Sequence, residues 1–313
     1  MSRCLVTGHR GYIGSKVYAA LQDRGHEVMG IDLQDGHDIL IRLKPDTDGK
    51  FHPHWASFKP EYIFHFAAIP RVVYSIEQPV HVIENNLLSS LYILEFARHV
   101  GAKRVIYSSS SSVRGNGNGP ESPYAASKYM PESMCNVWSS LYGIDTVCLR
   151  YFNVYSPCQN ASGPYATAIA NFMEFIRQDR DPYITGDGEQ TRDMAHLEDV
   201  VSANIFCMNH EGPFGGSFFD VGTGDNISLN DIKKIVLEYF PDTNFKYVED
   251  RPGHDFRYAT DFNKLKAMGW DPVADFDQEL SNVVDWYKNN EDWWREEYNY
   301  IVNKTRSRRL DIK

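Results

Sequence analysis

Tyr124 and Lys128, four residues apart in Tyr-Ala-Ala-Ser-Lys, have the spacing in this chain that points most directly to chemistry. On a helix they share one face, so a phenol and an ammonium can meet over the same ligand. The ammonium favours the phenolate and is expected to pull the phenol below its free pKa of about 10, toward the range useful to a general base. An isolated pair of this kind is ordinarily surface on an amphipathic helix. Here two further features precede it. A run of serines, Ser108 to Ser112, ends an apolar segment where a second hydroxyl can reach the same substrate oxygen. Near the start, Gly8, Gly11 and Gly14 form GxxGxxG, which supplies a tight turn, close approach of backbone to a pyrophosphate, and a helix amino end aimed at phosphate. Asp32 follows at the end of the next strand, where a carboxylate accepts both ribose hydroxyls and repels a 2'-phosphate, which predicts NAD in preference to NADP.

The elements that must hold these residues alternate. Cys4 to Thr7, Glu27 to Asp32, Tyr62 to Phe66, Arg104 to Ser109 and Thr146 to Phe152 read as strands. Ser15 to Arg24, Val80 to Val100 and Tyr124 to Tyr142 read as the helices between them. Strand and helix in alternation imply an α/β fold, a Rossmann-type doubly wound parallel sheet with its ligand crevice at the carboxyl ends of the strands. Beyond about residue 153 the pattern changes to Gly-, Pro- and Asp-rich loops with helices at 166–178, 197–208, 229–240 and 277–289. The expected organisation is a dinucleotide-binding domain over 1–152, a smaller α+β substrate domain over 153–303 with room for core strands to return later in the chain, and a basic tail over 304–313.

Composition removes several function classes. A net charge of −10 disfavours a general phosphate-backbone binder, so no nucleic-acid partner is expected. Five cysteines, odd in number and without a CxxC pair, support neither a disulfide framework nor a metal site. No apolar run is long enough to span a bilayer, and Met1 to Gly8 reads as a buried strand rather than a signal core, so a cytoplasmic protein without membrane attachment is expected.

The chain resembles the extended short-chain dehydrogenase/reductase family and, within it, the nucleotide-sugar epimerase/dehydratase group, most of all its 4-epimerases. The resemblance covers nearly the whole length and rests on Thr7 to Gly14, Phe64-His-Phe66-Ala-Ala68, Asn85-Asn86, Tyr107-Ser-Ser-Ser110, Tyr124 to Lys128, Leu149 to Asn153, Gly186 to Asp193, and Arg251 to Asp255. It implies an NAD-retaining enzyme acting on a nucleoside-diphosphate sugar, a UDP-hexose such as UDP-glucose or UDP-galactose, as a homodimer paired through the two long helices. Tyr124 is then the catalytic base, Lys128 its activator and a nicotinamide-ribose ligand, and Ser110 the hydroxyl on the sugar oxygen, with Ser109 and Ser111 as competitors for that role. Gly8, Gly11, Tyr12, Ile13, Gly14, Asp32, Phe66, Ala67, Ala68, Asn86, Ser110, Tyr124, Lys128 and Phe152 fall where the family contacts NAD. Asn153, Arg192 and Arg251 fall on the diphosphate, which suits the forked guanidinium. Tyr258 falls beside the sugar's C2 substituent, which implies preference for hexoses without an N-acetyl group.

Dehydratases of the family carry an acidic pair after the hydroxyl residue, and its decarboxylases a Glu; this chain has Ser111 and Ser112. Epimerisation through a transient 4-keto sugar needs no such acid. The alternatives are a dehydratase, an epimerase at another carbon, and an NAD(P)-sensing protein without catalysis. Departures from the family pattern are Arg114 where a Tyr is usual, a shortened loop between Ser112 and Tyr124, Pro131 inside the catalytic helix, where a kink is expected, and a dehydratase-like Arg251 to Tyr258 segment.

Overall fold

The computed structural model describes residues 1–70, 72–115, 117–157, 159, 168–224, 226–249, 257–258 and 261–290. The chain forms two compact units, Met1–Phe152 with Leu197–Gly224 and Thr260–Val273, and Asn153–His196 with Asp225–Ala259 and Ala274–Lys313.

The first unit is built on six strands: β1 (Arg3–Thr7), β2 (Glu27–Ile31), β3 (Tyr62–His65), β4 (Arg104–Ser110), β5 (Asp145–Tyr151) and β6 (Phe218–Val221). Every neighbouring pair is parallel, in the order β6-β5-β4-β3-β1-β2, as the alternation of elements predicts. Cys4 to Thr7 in β1 and Arg104 to Ser109 in β4 are buried without interruption, because a parallel sheet is covered on both faces. Helices α1 (Tyr12–Asp23) and α4 (Leu197–Asn209) pack on each other, and so do α2 (Pro79–Val100) and α3 (Pro123–Tyr142). Leu5, Ile63, Val105 and Cys148 of the sheet join Ile93, Leu94, Phe96 and Ala97 of α2 in one core. Each such large apolar side chain contributes about 1.5–3 kcal/mol on full burial.

Helix ends follow the local sequence. α2 and α3 each carry proline at the start and stop at a left-handed glycine, Gly101 and Gly143. α3 runs as one continuous helix through Pro131, with no N–H at that residue for the carbonyl of Ser127. Buried Arg104 donates to the carbonyls of His210 and Gly212 beyond the end of α4, at 2.9 and 2.8 Å, and ion-pairs with Asp145. The guanidinium also donates to the carbonyl of Cys207 in the last turn of α4, one that the helix end leaves without an intrahelical partner. Edge strand β6 arrives after α4 and aligns Asp220 with Arg150 and Val221 with Tyr151.

In the second unit Thr191–Arg192 lies between Ile227–Ser228 and Arg257–Tyr258, Tyr183–Thr185 pairs with Lys246–Val248, and Val154–Tyr155 pairs with Ala195–His196. Helices Ala168–Arg177, Leu229–Tyr239 and Phe276–Asn289 supply Phe172, Val236, Leu280 and Val284 to its core with Tyr155 and Ile184. Cys4, Cys135, Cys148 and Cys207 are buried free thiols; Cys158 and the tail over 304–313 lie outside the described residues. Among the described residues no helix is long and apolar enough to cross a membrane.

Candidate active site

The glycine turn joins β1 to α1. Gly8 has φ +69, and a Cβ there would stand 2.9 Å from the backbone nitrogen of Ala67; a Cβ on Gly14 would stand 2.1 Å from the Gly8 carbonyl oxygen. The turn therefore closes only without a side chain at Gly8 and Gly14, and the backbone of 66–67 packs directly against Gly8. Gly11 occupies the N-cap position and no side chain caps the helix. At the end of β2, Asp32 accepts the Arg10 N–H on Oδ2 at 3.0 Å and the Gln34 N–H on Oδ1 at 2.8 Å. Those two bonds leave half of a carboxylate's four acceptor positions for ribose hydroxyls. A turn with glycine at its two tightest points, an uncapped helix start and a carboxylate beyond it fit the pyrophosphate and ribose of a dinucleotide.

Beneath this turn runs a buried polar chain that sequence reasoning missed. Thr7 Oγ1 accepts the Ala67 N–H at 3.1 Å and lies 2.7 Å from His65 Nδ1, while His65 Nε2 lies 3.2 Å from Ser90 Oγ. Ser90 donates to the Asn86 carbonyl at 2.7 Å. With that hydroxyl proton assigned, His65 donates from Nε2 and receives the Thr7 proton at Nδ1. Burial first, and the charge of Lys128 second, pull His65 down to about 3, so the ring is neutral. Asn86 closes the chain: its amide takes the Ile69 N–H at 2.8 Å and donates to Ser127 Oγ at 2.9 Å, and Ser127 donates to the Tyr124 carbonyl at 2.7 Å. The amide of Asn86 is thus committed to fixing the segment after β3 and the first turn of α3.

Tyr124 and Lys128 lie in the first two turns of α3, which Ser122 caps by accepting the Ala125 N–H at 3.1 Å. The Tyr124 N–H donates to Ser75 at 3.0 Å. Lys128 is buried; its Nζ donates to the Ser108 carbonyl at 2.7 Å and stands 5.2 Å from the centre of the Tyr107 ring, which ties α3 to β4. Burial pulls the ammonium down to about 7, and the charge of Glu132 one turn further opposes that shift.

The serines divide by face. Ser109 donates to Glu132 at 2.6 Å, and Glu132 takes both arms of Arg150 at 2.8 and 2.6 Å. Ser110 caps a 3-10 turn over Ser111–Arg114, and its Oγ receives Ser112 Oγ at 2.9 Å. Ser109 is thus occupied in a buried network, while Ser110 has an unforeseen hydroxyl partner in Ser112. Arg114, the departure noted above, ion-pairs with buried Asp220 of β6, which also accepts the Asp261 N–H at 3.0 Å. The salt link pins the turn that carries Ser110 to the sheet edge.

Phe152 is fully buried and its N–H bonds the Val221 carbonyl at 3.1 Å. In the second unit, Asn153 Nδ2 donates to the Asp193 carbonyl at 2.8 Å, next to Arg192, and Arg192 is aligned with Tyr258 in the strand register. The structure thus brings Asn153, Arg192 and the Tyr258 backbone together; the Tyr258 side chain and Arg251 lie outside what is described.

A six-stranded parallel sheet with a glycine turn at the end of its first strand defines a doubly wound dinucleotide-binding protein. Residues 4–222 match the NAD dependent epimerase/dehydratase family. The chain belongs to that family, and its cofactor is NAD. It is 32% identical over 313 residues to the UDP-glucose 4-epimerase of Mycolicibacterium smegmatis, covering 92% of this chain and 99% of that one. Among solved structures it is similar to the UDP-N-acetylglucosamine 4-epimerase from Methanobrevibacter ruminantium in complex with UDP-N-acetylmuramic acid, at TM-score 0.81 and 29% identity over 92% and 98% of the chains. The Thermus thermophilus UDP-glucose 4-epimerase in complex with NAD follows at TM-score 0.79 and 28% identity over 92% and 99%. The protein is therefore an enzyme of nucleotide-sugar epimerase/dehydratase type.

Proposed function

We propose that the enzyme is a cytoplasmic nucleotide-sugar 4-epimerase acting on a UDP-hexose such as UDP-glucose or UDP-galactose through a transient 4-keto sugar. NAD supplies the chemistry of accepting a hydride from C4 and returning it to the opposite face. Gly8, Gly11, Tyr12, Ile13, Gly14, Asp32, Phe66, Ala67, Ala68 and Phe152 are the residues that hold it on this reading, with Asn86 serving the same site by fixing the backbone at Ile69. Tyr124 takes the 4-hydroxyl proton and gives it back, Lys128 favours the phenolate, and Ser110, oriented by Ser112, bonds the reacting oxygen. Asn153, Arg192 and Arg251 grip the diphosphate, and Tyr258 faces the sugar's C2 substituent.

The turn that begins at Ser110 carries the choice of reaction. Its next residues are Ser111 and Ser112, so no carboxylate follows the reacting hydroxyl. The buried carboxylates beneath it are engaged, Glu132 by Ser109 and Arg150, and Asp220 by Arg114. Loss of water across C5 and C6 needs an acid and a base in addition to the tyrosine, whereas exchange at C4 needs the tyrosine alone. The likeness to a UDP-N-acetylglucosamine 4-epimerase supports an N-acetylated hexose as the second reading.

Proton NMR of the purified enzyme incubated separately with UDP-galactose and UDP-N-acetylgalactosamine tests both. The 4-epimer of one donor should accumulate, and Tyr124→Phe should slow its formation by about 10²-fold or more. Formation of a 4-keto-6-deoxy sugar, or an active Tyr124→Phe enzyme, would overturn the proposal.

A further inference from the structure

The residues between the first two glycines carry opposite signals about the cofactor. His9 and Arg10 put basic side chains in the turn, beside the carboxylate of Asp32. The Arg10 backbone N–H donates to Asp32 Oδ2 at 3.0 Å, so the long Arg10 side chain is rooted beside whatever that carboxylate binds. A ribose 2'-phosphate on Asp32 would meet like charge from the carboxylate and attraction from Arg10. The two effects oppose each other, and the structure contains a third group that decides between them.

Asp35 ends the short 3-10 turn Leu33–Asp35 that Asp32 caps. One of its oxygens ion-pairs with Arg10 Nε, and the other lies 3.1 Å from His9 Nε2. The His9 ring is itself fixed, 5.1 Å from the Tyr18 ring and against Gly30, where any Cβ would stand 2.5 Å from it. Asp35 therefore draws the Arg10 guanidinium along the turn and occupies its Nε donor. Half of the Arg10 side chain is exposed, so without Asp35 it is free to swing toward a phosphate.

We propose that Asp35 is a cofactor-selecting residue: by holding Arg10, it removes the cation that would otherwise accept the 2'-phosphate of NADP. The inference rests on the reading that Asp32 receives the adenosine ribose. It adds to that reading a second selector, which acts by withholding attraction where Asp32 acts by repulsion.

The test is a competition. The purified enzyme is exchanged against an equimolar mixture of NAD and NADP, desalted and denatured, and the released dinucleotides are quantified by chromatography. Asp35→Asn should raise the bound NADP:NAD ratio by about five-fold or more, since a charge-assisted phosphate contact becomes available. Adding Arg10→Gln to Asp35→Asn should return the ratio to the wild-type value. Thermal melts of each variant establish that it is folded. An unchanged ratio in Asp35→Asn, with NAD still bound, overturns the proposal and leaves the cofactor reading standing, as does a raised ratio that survives Arg10→Gln. Release of neither dinucleotide from wild type overturns both.

Discussion

A lysine kept out of water is the residue on which the site's electrostatics turn. Burial holds Lys128 at about 7, against 10.5 for the ordinary side chain. Between those values the unfolded chain binds a proton that the folded chain does not, so this group makes the fold more stable as pH rises. Raised thiols and phenols act in the opposite sense higher up: Cys4, pushed to about 12, and Tyr107, pushed well above its usual value, stay protonated in the fold while the unfolded groups ionise. The melting temperature of the enzyme freed of dinucleotide should therefore climb between roughly pH 7 and 8.5. Lys128→Met should flatten that rise, as followed by calorimetry across the interval; an equal slope in both proteins would mean that Lys128 is not the group responsible.

At the scale of elements, helix α3 is tied to the sheet by charge as well as by packing. Glu132 of α3 holds Arg150 of β5 and Ser109 of β4, and the Arg150 guanidinium lies 3.6 Å from the centre of the Phe218 ring of β6. Removing one partner leaves a buried charge alone, so Arg150→Met should destabilise the fold by about 3–5 kcal/mol in urea titrations. Glu132→Met with Arg150→Met should recover part of that loss; strict additivity of the two single changes would show that the pair is not coupled. The network also marks where sequence reading stopped. The five strands of the first half and the extents of the two long helices were legible because they depend on neighbours along the chain. Strand β6 was not, since four residues between glycine-rich loops carry little pattern and its partner β5 is far away in sequence. His65 and Glu132 escaped for the same reason: their partners Thr7 and Arg150 lie 58 and 18 residues away. Ser112 was overlooked because strand alternation gives no hint of the 3-10 turn that brings its hydroxyl onto Ser110.

For the whole molecule, the two long helices present apolar residues to solvent. On α3 Tyr129, Met130, Val137 and Leu141 are exposed, Leu141 to 71%, and on α2 Val80 is exposed to 65%. A self-complementary two-helix face of this kind suits a symmetric dimer. Light scattering at micromolar concentration should give twice the 35.9 kDa of one chain, and Met130→Glu with Leu141→Glu should halve it. A wild-type mass of one chain would remove the dimer from the account. The proposed reaction takes place at C4 of the sugar. UDP-galactose carrying deuterium at C4 tests this most directly, with the enzyme in ordinary water and the product read by proton and deuterium NMR. The account predicts UDP-glucose with the deuterium still at C4 and no solvent hydrogen gained at any carbon. Deuterium lost to water, or found at C6 of a dehydrated product, would contradict it.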